Sequence, residues 1–272
     1  MPREIEPSLN EKQFFARAVE ENLRIDGRAF DQFRQLKLEF KDEYGVVDVS
    51  LGKTRVLTHI TAEVVAPYPD RPFDGIFTIT TELSPMASPA FEPFRPTETE
   101  LLLSRLLEKS LRRSSAIDTE SLCLLAGQKV WSVRADVHLL SHDGNLIDAS
   151  CIAVIAALQH FRKPDTSIEG DNVTIYTLAE REPVPLSLLH FPLCVTFNFY
   201  ADGEAVLLDA TLLEEQLSIG SCSISMNRHG EVCNISKLGG VPVDAVEILH
   251  SEDGQRRNNG GLLAELSSEN SR

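Results

Sequence analysis

His142-Asp143-Gly144-Asn145-Leu146-Ile147-Asp148-Ala149 runs into Ser150-Cys151-Ile152-Ala153-Val154-Ile155-Ala156-Ala157-Leu158-Gln159-His160-Phe161. This stretch decides the fold. A polar turn gives way to a run in which Ile152, Val154, Ile155, Ala156 and Leu158 leave little polar surface, so Asp148–Phe161 is expected to be a long helix buried all round. Asp148, a short acid at the start of that run, is expected to be its N-cap.

Outward from this helix the pattern changes period. Upstream, Val133, Ala135, Val137 and Leu139 alternate with Arg134, Asp136 and His138, which predicts a strand over Lys129–Leu140 with one buried and one wet face. Glu98–Ser114 reads as a second helix. Runs rich in Val, Ile and Thr predict strands at Leu36–Phe40, Val46–Leu51, Val56–Val65 and Ile76–Leu83. Pro85, Pro89, Pro93 and Pro96 mark an extended loop. Ser8-Leu9-Asn10-Glu11 has the form of a capping box, followed by an amphipathic helix carrying Phe14, Phe15, Ala18 and Val19 through about Leu23, and closed by the turn Asp26-Gly27-Arg28.

Downstream, strands are expected at Val173–Thr177, Cys194–Tyr200, Ala205–Leu208, Cys222–Met226 and Glu231–Ile235, with hairpin turns at Asp202-Gly203 and His229-Gly230. The order strands, helix, strands, helix, strands predicts an α+β protein of two related halves, each a mixed sheet with packed helices. The expected organisation is an N-terminal helix and turn over 1–29 and one large domain over 30–250, with halves near 30–115 and 125–240. A polar tail over 251–272, expected to be disordered, follows.

Composition narrows the function. The 272 residues carry 26 Lys+Arg against 41 Asp+Glu, a net charge of −15, so nucleic acid cannot be gripped by overall charge and any such contact needs a local basic patch. The five cysteines form no Cys-x-x-Cys pair and sit mostly in apolar runs, which predicts reduced, buried thiols in an intracellular protein and no metal site. No run approaches the ~18 apolar residues of a membrane span, and Met1–Asn10 has no apolar signal segment. No membrane role is expected.

Several motifs fail. Gly52-Lys53-Thr54 resembles the end of a P-loop, but the glycine required five residues before Gly52 is Val47, and a turn between strands is the better reading. No Gly-x-Ser-x-Gly elbow occurs, and His142 beside Asp143 is expected to be a solvated loop histidine. Glu214 and Glu215 are considered as paired carboxylates, but adjacent acids after a strand are expected to be exposed.

Three stretches carry a family resemblance over roughly residues 5–240. Arg24-Ile25-Asp26-Gly27-Arg28 resembles the N-terminal signature of RNase PH-type proteins, and His142–Ala149 falls where that family enters its main helix. Arg181-Glu182-Pro183-Val184-Pro185-Leu186-Ser187 is similar to one branch only, among the ring subunits of the RNA exosome; Ala90-Phe91-Glu92-Pro93 and Glu120-Ser121-Leu122-Cys123 resemble the same branch. The resemblance implies the RNase PH-like fold (the ribosomal protein S5 domain 2-like class). It also implies a hetero-hexameric ring with other RNase PH-like exosome subunits around an RNA channel, RNA-binding cap subunits and an associated nuclease as further partners, no cofactor, and residence in nucleus, nucleolus and cytoplasm. It departs from the family after Gly239-Gly240, where relatives continue into a long helix and this chain soon turns polar; Gly261–Leu266 could supply a further helical turn or two.

Active members of the family use inorganic phosphate as the nucleophile, held by Gly-Ser/Thr-Arg at a helix N-terminus, together with an aspartate farther along. Here Leu146 and Ile147 stand where Ser/Thr and Arg are needed, followed by Asp148, so Leu146, Ile147 and Asp148 form a degenerate phosphate site. Loss of a bidentate Arg–phosphate contact alone forfeits ~1.5–3 kcal/mol. Gln216–Ser223 supplies no aspartate either. The expectation is a non-catalytic ring subunit that supports 3′-to-5′ RNA processing and decay, with no catalytic residues. An active phosphate-dependent exoribonuclease and a free-standing RNA-binding protein are the rivals.

One basic patch stands out. Between Leu101 and Ser115 lie Arg105, Lys109, Arg112 and Arg113 against the single acid Glu108, and at about 100° per residue Arg105, Lys109 and Arg112 share a face opposite Leu103, Leu106, Leu107 and Leu111. A solvated helix face is the plain reading. The resemblance, which sets this helix near the channel, makes the four basic residues candidates for phosphate-backbone contact with RNA, insensitive to base sequence and weakened by salt.

Overall fold

A computed structural model of the chain describes residues 6–92, 95, 97–170, 172–177, 180–200, 205–240 and 242. The Asp202-Gly203 turn, the region after Gly240 apart from Pro242, and the tail over 251–272 lie outside the described residues.

Helix α1 (Leu9–Glu20) starts with the capping box that the sequence predicts: the Glu11 N–H donates to Ser8 Oγ at 3.3 Å and the Ser8 N–H to the Glu11 carboxylate at 2.7 Å. Phe15 and Val19 are buried, whereas Phe14 stays exposed. Asn22, at φ 55°, closes the helix before Leu23. The expected strands form with small shifts: β1 (Leu36–Phe40), β2 (Val46–Leu51), β3 (Thr54–Val65) and β4 (Ile76–Leu83) precede helix α2 (Glu98–Leu107), and β5 (Cys123–Leu125) and β6 (Lys129–Ser141) follow it. They make one sheet in the order β1-β2-β3-β6-β4, with β5 added to β6; β4 and β6 run parallel and the other pairs antiparallel. Gly52-Lys53 is the turn joining β2 to β3.

Helix α3 (Leu146–His160) comes next, then the short strands β7 (Arg162–Lys163), β8 (Thr166–Glu169), β9 (Asn172–Ile175) and β10 (Val184–Pro185). The second sheet consists of β11 (Leu193–Tyr200), β12 (Ala205–Leu208), β13 (Gly220–Met226) and β14 (Val232–Leu238). It is antiparallel throughout in the order β12-β11-β13-β14, and helix α4 (Leu212–Leu217) precedes β13. The division between halves therefore differs from the expected one near 115–125: β6 pairs with β3 and β4 of the first sheet, and the second sheet starts only at Leu193. Alternation identifies a strand but not the sheet it joins.

Helix α3 packs on β2 and β3 on one side and on β11 on the other, so it lies between the sheets. That position explains its composition: twelve of its fifteen residues are buried, from Leu146 to Leu158, and a wet face would have no water to meet. Cys151, Cys194 and Cys222 are buried thiols, and none of the five cysteines forms a disulfide.

Candidate functional site

The start of α3 is the position that the family resemblance matches to a phosphate site, and the chain builds it from four elements. Gly144 (φ 80°) and Asn145 (φ 54°) take left-handed conformations, which lets the turn lie flat against the backbone of 209–212. A Cβ at Gly144 would stand 2.6 Å from the Ala210 carbonyl oxygen, so only glycine fits there. Thr54, at the start of β3, fastens the turn from the other side: its Oγ1 donates to the Gly144 carbonyl at 2.7 Å and accepts the Asp143 N–H at 3.2 Å.

Asp148 does not cap this helix. The helix begins two residues earlier, at Leu146, with Asn145 as the N-cap. Asp148 sits one turn in, fully buried, and its carboxylate turns to the second sheet, accepting the Thr196 N–H at 2.9 Å and the Thr196 hydroxyl at 2.8 Å. Burial pushes its carboxyl up to about 7, against the Thr196 and Asn145 hydrogen bonds that favour the charge. Asn145 is left-handed at the N-cap and makes no side-chain capping bond to the first turn.

The carboxylate that does meet the helix start is Glu215, whose Oε1 accepts the Asn145 N–H at 2.6 Å. Glu214 and Glu215 were expected to be exposed; instead they sit on α4, folded under the turn. Glu214 is 1% exposed. Burial pushes the Glu215 carboxyl up to about 7, with the Asn145 N–H and Arg34 pulling it down and Asp148 and Asp209 pushing it further up. The signal for this placement was in the sequence. Thr211-Leu212-Leu213-Glu214 is a capping-box pattern, and the Glu214 carboxylate accepts the Thr211 N–H at 2.8 Å.

Three arginines surround the turn and all are engaged. Arg24 is buried, pairs with Glu214 through two bonds of 3.1 and 2.7 Å, and donates to the carbonyls of Leu208 and Asp209 at 2.9 and 3.0 Å. Arg28 binds Asp26 at 2.6 Å and Asp209 at 3.1 Å. Arg34 closes on Asp209 from both sides, Nε at 2.9 Å and Nη2 at 2.7 Å, and its Nη1 donates to the Asp143 carbonyl at 2.7 Å. Asp209 also accepts the Asn145 side-chain amide at 2.7 Å. Burial raises the Asp209 carboxyl, but the Arg34 guanidinium and Asn145 outweigh it and hold the group below the ordinary carboxylate range. Arg34 and Asp209 escaped the sequence reading because nothing local links residues 175 positions apart.

The two residues that follow the turn are apolar. Leu146 is buried and Ile147 half-buried at the positions next to the turn, neither offering a donor side chain. Glu215 already occupies the Asn145 N–H, and five carboxyls (Asp26, Asp143, Asp209, Glu214 and Glu215) face the three guanidiniums. Asp143 contributes backbone groups to the turn and a 3.6 Å ion pair to Arg34. His142 is half-buried on the loop, and its ring lies 5.8 Å from that of Phe91. No group of His, Cys, Asp and Glu among the described residues could hold a metal ion, and no described helix is long and apolar enough to cross a membrane.

The basic set lies on a different element. Leu103, Leu106, Leu107 and Leu111 are buried, and Arg105, Lys109, Arg112 and Arg113 are all exposed. The helix is not a single α-helix, however. From Glu108 to Arg112 it widens, the Arg113 N–H donating to the Glu108 carbonyl at 3.0 Å, so 100° steps hold only up to Leu107. Arg112 pairs with Glu108 at 2.8 Å on the exposed side.

Residues 32–164 match the family model described as 3′ exoribonuclease family, domain 1, and residues 190–250 match domain 2 of the same family. Exosome complex component rrp45 of Schizosaccharomyces pombe is 55% identical over 92% of this chain and 86% of its own length; RRP45 of Saccharomyces cerevisiae is 47% identical with the same coverage. Human RRP45 is 50% identical over 88% of this chain, which spans only 54% of that protein, and it is the polymyositis/scleroderma autoantigen, the branch that Arg181–Ser187 resembles. Among solved structures, an Archaeoglobus fulgidus exosome with RNA bound to the active site aligns at a TM-score of 0.82 and 29% identity over 94% of this chain and 97% of the other. An archaeal exosome core aligns at 0.76 and 25% identity, covering 97% of each chain. With both family models matched in order, one over the first sheet and the other over the second, the chain belongs to the 3′ exoribonuclease family, with the RNase PH fold.

Proposed function

We propose that this protein is a non-catalytic structural subunit of the RNA exosome ring, where it joins other RNase PH-like subunits, helps to line the RNA channel and supports 3′-to-5′ RNA processing and decay. The observation that carries the non-catalytic part is the carboxylate of Glu215 on the Asn145 N–H, at the helix start where an active relative holds phosphate. A second anion there must displace an internal one and then face Leu146 and Ile147. The relatives' shared name, exosome component, and the two exosome alignments support the ring. The same reading sets RNA-binding cap subunits and an associated nuclease beside it, in nucleus, nucleolus and cytoplasm.

Arg105, Lys109, Arg112 and Arg113 are the residues through which RNA backbone is met. Their exposure beside buried leucines supports this role, and the contact is one of charge. The test is Arg105→Glu with Arg112→Glu in the assembled ring. Protection of single-stranded RNA from added nuclease should fall several-fold at low salt while the mass of the ring is unchanged. Unchanged protection would remove the RNA role, and a chain that stays monomeric with all ring subunits present would remove the ring itself.

A further inference from the structure

Between β3 and β4 the chain crosses over Ala66–Gly75, a loop with prolines at 67, 69 and 72. Proline fixes φ, and backbone hydrogen bonds, among them a 3.4 Å bond from the Asp74 N–H to the Arg71 carbonyl, pin what remains. The Arg71 N–H donates to the Tyr68 carbonyl at 3.0 Å, the Gly127 N–H to the Pro72 carbonyl at 2.9 Å and the Gly75 N–H to the Thr119 carbonyl at 2.8 Å. Gly75 is also wedged against Leu122 and the Trp131 carbonyl, with no room for a Cβ. Against the start of β4 and the segment after α2, this fixed loop leaves an open cleft of about 330 Å³.

The wall of the cleft carries Tyr68, Asp70, Arg71, Asp74 and Arg112. Tyr68, Asp70, Arg71 and Arg112 are exposed and Asp74 is partly so. The side chains of Tyr68, Asp70, Arg71 and Asp74 make no hydrogen bond or ion pair with any described residue. In a chain whose other arginines near the turn are all spoken for by carboxylates, a rigid loop holding an aromatic ring, a guanidinium and two carboxylates without partners is made for an outside ligand. Ile76, Phe77 and Ile117 line the floor of the cleft, so an apolar base borders the polar and charged groups of Tyr68, Asp70, Arg71, Asp74 and Arg112.

We propose that this cleft is a subsite for one nucleotide of single-stranded RNA. The Tyr68 ring stacks on the base, Arg71 and Arg112 meet the flanking phosphates, and the Asp74 carboxylate accepts from the ribose 2′-hydroxyl. The proposal rests on the reading that the basic face of α2 meets RNA, because Arg112 belongs to both. It extends that face from charge alone to stacking and to discrimination of RNA from DNA.

The test is fluorescence anisotropy with a labelled oligouridylate and the matching oligodeoxyuridylate, on the full chain in its assembled ring. Tyr68→Ala and Arg71→Glu should each weaken RNA binding about fivefold or more, since one stacked base is worth ~1–3 kcal/mol. Asp74→Ala should shrink the preference for RNA over DNA. A 4-thiouridine oligonucleotide should crosslink to the peptide containing Tyr68. Loss with Arg105→Glu but none with Tyr68→Ala or Arg71→Glu would overturn the subsite and leave the basic face standing; no loss in any of the three would overturn both. Defective ring assembly with unchanged RNA affinity in the rings that form would assign the cleft to a protein neighbour and likewise overturn it.

Discussion

At Arg24 a guanidinium gives its donors to Glu214 and to the carbonyls of Leu208 and Asp209, at nearly full burial. The residue opens the family signature, yet its work is to clip the N-terminal turn to the second sheet. Truncation leaves Glu214 buried and unpaired, so Arg24→Ala is expected to destabilise by ~3–5 kcal/mol, whereas Arg24→Met with Glu214→Leu should cost clearly less, both read from urea midpoints. Asp148 carries a pH signature. With its carboxyl raised to about 7 in the fold, the folded chain holds a proton that the unfolded chain releases near pH 4, so stability falls as pH rises from about 4 through about 7. Asp148→Asn should flatten that fall in a series of urea melts, since the Thr196 hydroxyl can reverse its bond and donate to Ser223. A slope unchanged in the variant would assign the titration elsewhere, with Glu215 the next group to replace. None of this was legible residue by residue. The sequence announces acids and arginines but not which of them meet across 175 to 190 positions.

At the scale of elements the legibility is much higher, and for a physical reason. Strands such as β6 and the buried run of α3 are set by side-chain period and burial, which a single segment carries within itself. The start of α3 lies two residues before Asp148, after a left-handed Gly-Asn turn with no side-chain cap, so the rule that a short acid marks the N-cap misplaced it. Helix α4 went unread because six residues carry too little period, although its capping box was visible. In α2 the leucine stripe was read correctly, but the wide turn at Glu108–Arg112 was not, since i→i+5 bonding leaves no mark in spacing. Leu111 sits in that turn with 0% exposure, and Leu111→Ala is expected to cost ~2–5 kcal/mol, measurable by thermal or chemical unfolding. A cost under 1 kcal/mol would mean that the turn collapses onto the cavity.

Across the whole molecule, one helix between two sheets fixes everything else. Its buried body joins the halves, and its N-terminal end brings together β3, the Arg24–Arg34 segment and α4. At that end the Glu215 carboxylate accepts the Asn145 N–H, the contact on which the proposed loss of an anion site rests. With a net charge of −15, any contact with RNA needs a local basic patch, and the proposed one is the basic face of α2 with the cleft beside it.

The central claim is that the chain carries out no phosphorolysis, and the direct measurement is release of nucleoside diphosphates from 3′-labelled RNA by the purified chain, with and without inorganic phosphate. The account predicts no phosphate-dependent release above the protein-free background. Release that rises with phosphate, and that is abolished by Glu215→Ala or by replacement of Asp148, would show that the site at the start of α3 is a working one and contradict the account.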